Sequence, residues 1–413
     1  MVNKILSLDS ISDSVGAEVN VVGKIKNIRK KGKLIFFEIE KGNNTVQVAS
    51  FGKTSASYNR GDIISVSGKV VFNKGIKTGI SQHEISTNPN GIEVLHIANS
   101  VNKRDKFESK HKYTDLEHRG LFKAKSEFLH SIREYFYSNR FCEVNSPTIV
   151  GDICKGPVPD FKVEYFGRDA SLSVSNILYH HMFMTSFDRV YELNKVFRGS
   201  PSDTSRHVSE IQMLDFALQD INLETTVDMM DEMLKSLVNV LENNGVETNL
   251  SKNDDIPRFT FNELCKYLSG KGVSPISEPH DLRTNFEAQQ VLPKYIWIFN
   301  SPREGYNFFT KSFEEDGSLY SCDAQLRLVS GGQLISGGVR EVNLERVLQA
   351  IEYGGYDVDW YKPYLEAVEY GVMPHVGMGM GIDRVFSALA DVKSIKDTIF
   401  FKRDTRKNFV EEI

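Results

Sequence analysis

The chain predicts an α+β protein in two parts, an N-terminal OB-fold β-barrel followed by a larger antiparallel sheet flanked by helices. Three observations carry that prediction. At 413 residues the chain is too long for one ordinary domain. Residues 16–98 break into short strand-like runs separated by glycine and asparagine turns. Beyond them, extended apolar segments and amphipathic helices follow one another without a βαβ rhythm or a Walker-type loop, which argues against a parallel sheet.

In the front part, Val19–Lys26, Leu34–Glu40, Thr45–Ala49, Ile63–Phe72 and Gly91–Ile97 read as five strands, because polar and apolar residues nearly alternate along them. Lys41-Gly-Asn-Asn44, Asn59-Arg-Gly61 and Asn88-Pro-Asn-Gly91 supply the turns. Five short strands in a small domain match an OB-fold barrel, whose open face takes single-stranded nucleic acid. Arg29-Lys-Lys-Gly-Lys33 runs into Phe36, and Gln47 lies one strand further on. Neighbours on a strand point to opposite faces, so one of Phe36 and Phe37 must face outward. An exposed ring can stack on an unstacked base, and a glutamine can read a base edge as donor and acceptor.

A polar link near 99–112 marks the boundary, giving a barrel over 1–100, a hinge over 101–122 and a large domain over 123–413. In the large domain, Phe128, Leu129, Ile132 and Phe136 form a helical stripe between Ser126 and Tyr137, and Pro147 breaks into an extended segment. Val227–Leu241 is a second amphipathic helix, whose Met-bearing stripe reads as core. Arg189–Leu193, Ile211–Ala217, Tyr295–Phe299 and Gln333–Ile335 read as strands.

Composition narrows the function. Cys142, Cys154, Cys265 and Cys322 lie far apart with no CxxC pair, so a zinc site or disulfide framework is not expected and reduced thiols in the cytoplasm are. No stretch has the length needed to span a membrane, and the N-terminus lacks the pattern of a signal peptide. The net charge of −5 is unevenly spread. Residues 1–104 hold 15 Lys and Arg against 8 Asp and Glu, and the remainder 35 against 47. A basic front on an acidic body suits an N-terminal domain that meets a polyanion, although a merely well-solvated small domain would have the same balance.

The most specific chemistry lies in Gly377-Met-Gly-Met-Gly-Ile-Asp383-Arg384, in Phe197-Arg198, and in Thr204-Ser-Arg206-His207-Val-Ser-Glu210. Alternating glycines leave backbone open for a flat ligand, and arginines can stack on a base and neutralise phosphate. These segments resemble the second and third motifs of the class II aminoacyl-tRNA synthetases, within the aspartyl/asparaginyl group. The resemblance runs over nearly the whole chain. Glu143-Val-Asn-Ser-Pro147 resembles the first, dimer-forming motif, Glu117-His-Arg119 the interdomain hinge, and the barrel the anticodon-binding domain.

That resemblance implies a homodimeric ligase that uses ATP and Mg²⁺ to make an aminoacyl-adenylate and passes the amino acid to tRNA. By motif position Arg198 would bridge the α-phosphate and the substrate carboxylate. Arg206 and His207 would meet the outer phosphates, and Arg384 would stack on adenine, with the Gly377, Gly379 and Gly381 backbone against the nucleotide. Arg340, in Ser336-Gly-Gly-Val-Arg340-Glu341, would grip the substrate side chain, unless it is spent on a salt bridge to an acid such as Glu341. Ser175, His180, His181 and Glu210 complete the expected substrate site, and Asp323 with Gln333 the metal site. In the barrel, Arg29, Phe36 and Gln47 would contact RNA.

The chain departs from the family around the substrate. Ile177 stands where the family has glutamine, and His180 and His181 where the aspartyl enzymes place lysine and the asparaginyl ones glutamate. Ser200 replaces the glutamate after Phe-Arg, and Gln333 an acidic metal ligand. The spacing from Asp323 to Gln333 is about two residues longer than usual. Two other readings therefore stand beside the tRNA ligase: a paralogue that adenylates an acid for a non-tRNA acceptor, and an RNA-binding regulator with a residual nucleotide pocket.

Overall fold

A computed structural model describes residues 5–42, 44–52, 56–73, 75, 82–98, 116–154, 159–219, 221–303 and 308–405. The chain divides into two compact units, Met1–Arg119 and Gly120–Ile413. The polar link at 99–112 lies outside the described residues.

The first unit is the expected barrel. Its strands are β1 (Glu18–Lys31), β2 (Leu34–Lys41), β3 (Asn44–Phe51), β4 (Ile63–Phe72), β5 (His83–Thr87) and β6 (Ile92–His96). β1 pairs with β2 through its second half and with β4 through its first, and this closes the barrel. The fifth barrel strand is β5, which bridges β3 and β4; the Gly91–Ile97 run expected in that place adds β6 alongside β4 instead. β5 escapes the alternation signal because His-Glu-Ile-Ser-Thr holds one apolar residue, the fully buried Ile85. Val21, Ile25, Phe37, Ile39, Val48, Val66 and Val70 fill the interior with it.

The second unit is built on an eight-stranded sheet. Its strands are β7 (Cys142–Glu143), β8 (Arg189–Phe197), β9 (Glu210–Gln219), β10 (Arg258–Thr260), β11 (Tyr295–Phe299), β12 (Asp323–Leu328), β13 (Gly332–Val339) and β14 (His375–Gly381). Their spatial order is β10-β11-β12-β13-β14-β9-β8-β7. The two outermost pairs are parallel and all the others antiparallel.

One face of this sheet packs on three long-range apolar stripes. They belong to α1 (Leu116–Ser138), α3 (Leu223–Asn243) and α8 (Ile382–Leu389), while the short α2 (Ile177–Phe183) lies on the other side. Met230, Leu234, Leu237, Val238 and Leu241 of α3 are all buried, as the core reading of that stripe requires. Asn222 caps α3 by accepting from the Thr225 N–H at 2.8 Å. On the sheet, Leu214, Phe216, Val376, Met378 and Met380 face this core. The residues between them face the other way, and that second face carries the site.

The second face is only partly covered, by α2, α6 (Leu344–Tyr353) and α7 (Lys362–Gly371), with α4 (Phe261–Gly270) and α5 (Phe286–Val291) packed beside β11. Strand register then lines up a row of polar side chains on four strands: Glu192 and Asn194 on β8, Asp215 on β9, Ser336 on β13, and Asp323, Gln325 and Arg327 on β12. The glycine-rich run is the central strand β14 of this face. Its glycines make room for neighbours: a Cβ on Gly379 would lie 2.5 Å from Asp215 Oδ1, and one on Gly377 would lie 2.8 Å from Arg340 Nε.

Candidate active site

Five of the expected nucleotide residues converge on one cavity of about 140 Å³. Arg198, Arg206, His207, Gly381 and Arg384 line it with Ser200, Ile211 and Asp383. Arg198 follows the last residue of β8, and its N–H donates to Ser209 O at 2.9 Å, which ties the two ends of the intervening loop together. That loop is also held from the C-terminal side. Lys396 bridges Asp203 at 2.6 Å and Asp404 at 2.7 Å, and Ser209 N–H donates to Arg403 O at 2.7 Å. The Arg206 side chain donates to the Ser330 and Gly331 carbonyls at the β12–β13 turn. Arg384 projects from the first turn of α8.

The cluster is electrostatically loaded. Burial and the guanidinium groups of Arg198, Arg206 and Arg283 push Arg384 down to about 10, so it stays charged at neutral pH. Burial and then Arg384, Arg206, Arg283 and Arg198 hold His207 below the usual imidazole range. His207 is therefore neutral in the free protein at neutral pH. Burial also lowers Arg198, with the nearby Asp215 carboxylate opposing. Asp383, the one carboxylate lining the cavity, is paired with Lys125.

The glycine expectation is met only in part. Gly381 lines the cavity, whereas Gly377 lies under Arg340 and Gly379 under Asp215. Their lack of a Cβ serves close approach by side chains of the second face.

Arg340 is 3 % exposed, and the Glu341 alternative does not hold for it. Its Nη2 donates to Gly377 O at 2.7 Å, Nη1 reaches Thr310 Oγ1 at 3.4 Å, and the guanidinium lies 5.1 Å from the Phe309 ring centre. Glu341 turns to the Val342 and Asn343 N–H groups instead. His180 and His181 are both buried but differ in partner. His180 Nε2 lies 2.9 Å from Glu192 Oε2, and Glu192 also accepts from Ser146 N and Oγ. Although burial opposes it, these contacts hold the Glu192 carboxyl below its usual range. His181 stands edge-on to His375, with ring centres 4.8 Å apart.

Burial, with His375 and Arg340 next to it, drives His181 well below the ordinary imidazole value, and burial pushes His375 from 6.5 down to about 3. Both are neutral in the fold, while in the unfolded chain each takes a proton below pH about 6.5. The unfolded state then binds more protons, so the contribution is complete above 6.5 and is lost as pH falls toward 3. For His375 the loss is about 1.4 kcal/mol per pH unit. The thermal midpoint is expected to drop between pH 6.5 and 5, and less steeply in His375→Asn; equal slopes would rule this origin out.

One expected substrate residue lies elsewhere. Glu210 shares β9 with Asp215 but differs from it by an odd number of positions, so the alternation of the strand turns it to the opposite face. There it pairs with Lys195 and lines a separate hollow with Phe122 and Phe400. Ser175 is exposed beside the start of α2. Conversely, Asp215 was missed, though a lone carboxylate inside the apolar run Ile211–Ala217 was a usable signal. It is 6 % exposed, accepts from Asn194 Nδ2 at 3.0 Å, and burial raises its carboxyl.

The expected metal ligands do not fit a divalent cation. Asp323 is fully buried, with Oδ1 accepting from Ser301 N–H at 2.7 Å and Oδ2 from Gln325 Nε2 at 3.2 Å. Gln333 is a neutral amide bonded to Ser336 Oγ. Among the described residues no group of three His, Cys, Asp or Glu side chains is placed to hold a metal.

In the barrel, Phe37 is core and Phe36 lies on the outer face, with Arg29 5.9 Å from its ring centre. Arg29 Nη2 donates to Gln47 Oε1 at 2.7 Å, and the Gln47 amide nitrogen donates to Glu84. Arg29, Phe36 and Gln47 are thus adjacent, but Gln47 is 5 % exposed and both ends of its amide are engaged.

Residues 105–405 match the family of tRNA synthetases class II (D, K and N), and residues 19–95 match the OB-fold nucleic acid binding domain. The aspartate–tRNA(Asp/Asn) ligase of Methanocaldococcus jannaschii is 29% identical over 449 residues, covering 98% of this chain and 99% of that protein. The aspartate–tRNA(Asp) ligase of Pyrococcus abyssi is 28% identical over 430 residues, covering 95% and 96%. Among solved structures, the asparaginyl-tRNA synthetase from Pyrococcus horikoshii complexed with asparaginyl-adenylate superposes with a TM-score of 0.85 at 21% identity, covering 99% of this chain and 100% of the other.

Proposed function

Because the chain belongs to the class II tRNA synthetases of the D, K and N group, we propose that it activates aspartate or asparagine with ATP and transfers the amino acid to tRNA. The observation that carries this reading is the shared cavity of Arg198, Arg206, His207, Gly381 and Arg384 on an antiparallel sheet. In the first step a carboxylate oxygen of the amino acid attacks the α-phosphorus. The new O–P bond gives the mixed anhydride, and the bond to the β-phosphate oxygen breaks to release pyrophosphate. Two anions meet in this step, so fixed positive charge lowers the barrier by offsetting both their repulsion and the charge that develops.

Arg198 lines the cavity within the field of the Asp215 carboxylate and is assigned to the α-phosphate and the attacking carboxylate. Arg206 and His207 are assigned to the outer phosphates. Arg384 and Ile211 line the cavity and are assigned to the two faces of the adenine ring. Arg340, with His181 and His375 behind it, is assigned to the amino-acid side chain. In the second step the terminal ribose hydroxyl of tRNA attacks the acyl carbon and AMP leaves.

The barrel is assigned to the anticodon, with Phe36 as a stacking platform and Arg29 on phosphate. Phe36→Ala is expected to weaken tRNA binding by roughly 1–3 kcal/mol, measured by filter retention, with pyrophosphate exchange unchanged. Unchanged tRNA affinity would remove Phe36 from the interface. A homodimer through the segment at Glu143–Pro147 and a cytoplasmic location complete the proposal; among the described residues no helix is long and apolar enough to cross a membrane.

The reading is tested by charging total tRNA with radiolabelled aspartate and asparagine. Acid-labile label on tRNA with one of the two is expected. Pyrophosphate exchange without any charging would point to a non-tRNA acceptor and overturn it.

A further inference from the structure

On the second face, β12 and β13 carry two amides and a guanidinium, Gln325, Gln333 and Arg327, beside Asp323 and Ser336. A β-bulge between Leu326 and Arg327 sets Arg327 opposite Gln333, while Gln325 lies opposite Ser336. Arg327 is 2 % exposed, and its Nη1 donates to Gln325 Oε1 at 3.0 Å. Gln325 in turn donates to Asp323 and to Ser301 Oγ. The register also accounts for the long spacing between Asp323 and Gln333: Gln325, two residues on, is the residue across from Ser336. A hard divalent cation prefers carboxylate oxygen, and here the one carboxylate on β12, Asp323, already accepts from Ser301 and Gln325, while the residues beside it are neutral amides.

Positive charge is meanwhile in surplus. Arg283 ends the 3-10 turn Pro279–Arg283, which packs on β13, the strand that follows the turn whose carbonyls bind Arg206. It lies close enough to act on Arg206, His207 and Arg384. Among the described residues no carboxylate pairs with Arg283 or Arg384. The acids that face the site are already engaged: Asp383 with Lys125, Asp215 with Asn194, and Asp323 with Ser301 and Gln325.

We propose that this chain neutralises the triphosphate with arginines in place of a protein-held divalent cation, Arg283 joining Arg206 on the outer phosphates. The proposal rests on the ATP reading above. A guanidinium offers the outer phosphates two charge-assisted hydrogen bonds in a fixed plane, which a hydrated cation held by amides does not.

The test is calorimetric titration of the full chain with ATP and with AMP, each in EDTA and in Mg²⁺. ATP affinity is expected to differ by less than about fivefold between the two conditions. Arg283→Gln is expected to weaken ATP by about fivefold or more and to leave AMP unchanged, because AMP has no outer phosphates. Arg283→Lys is expected to recover part of the loss. ATP affinity that falls more than about fivefold on chelation would overturn the proposal. So would an Arg283→Gln chain that binds ATP normally or loses AMP equally. Failure of both nucleotides to bind in either condition would overturn the ATP reading itself.

Discussion

Arg198→Ala is expected to lower ATP–pyrophosphate exchange by about two to three orders of magnitude, the range found when one preorganised donor to a developing charge is removed. The geometry explains why so much rests on one residue. Arg198 lies in the cavity shared with Arg206, His207 and Arg384, and is placed by the backbone bond from its own N–H to Ser209 O. Of the three cavity arginines it is the one that feels the Asp215 carboxylate, so it stands where the nucleotide cavity meets the polar row of the second face. Loss of its charge removes the counterweight to repulsion between carboxylate and phosphate. A lysine would restore charge but not the planar pair of donors, so Arg198→Lys is expected to recover only part of the rate. The thermal midpoint of Arg198→Ala should stay near that of the parent, because like-charge repulsion with Arg384 is relieved. Exchange at the parental rate in Arg198→Ala would remove this residue from the reaction.

Arg340→Met is expected to raise the KM for the amino acid by about one to two orders of magnitude while leaving ATP affinity unchanged. The estimate takes one charged, buried contact at about 1.5–3 kcal/mol. Arg340 is buried on the second face, against Gly377 O, Thr310 and the Phe309 ring, and outside the cavity that Arg384 lines. Methionine keeps much of the volume beside Phe309 and His181, so the loss should appear in substrate binding before stability. The readout is the KM split in pyrophosphate exchange, alongside a nucleotide titration. An equal loss of ATP affinity would mean that Arg340 supports the sheet rather than the substrate.

The fold was legible where burial imposes a period. Val21, Ile25, Phe37 and Ile39 alternate because one face of each barrel strand is interior, and the α3 stripe repeats because one side of the helix meets the sheet. β5 was not legible, since a strand paired on both sides can hold with a single buried isoleucine. The nucleotide arginines were legible because their motifs place them at fixed points: the end of β8, the loop after it and the first turn of α8. Which way a side chain points was harder. Glu210 shares a motif with Arg206 and His207, yet strand parity puts it on the far face. Asp323 carries the right chemistry for a cation, but Ser301 and Gln325 already use its oxygens. Gln47 was readable as a base-reader from type and place, whereas its partners Arg29 and Glu84 come from other strands. Arg283 lay in no motif and became visible only when the turn that carries it met β13.

The central claim is that guanidinium groups on this sheet hold a nucleoside triphosphate beside an amino-acid carboxylate. Photolabelling of the full chain with an azido-ATP, followed by peptide mapping, addresses it most directly. Label is expected in the segments 198–211 and 381–384, to be suppressed by excess ATP, and to be lost in Arg384→Ala. Label confined to other segments, or unaffected by ATP, would contradict the account.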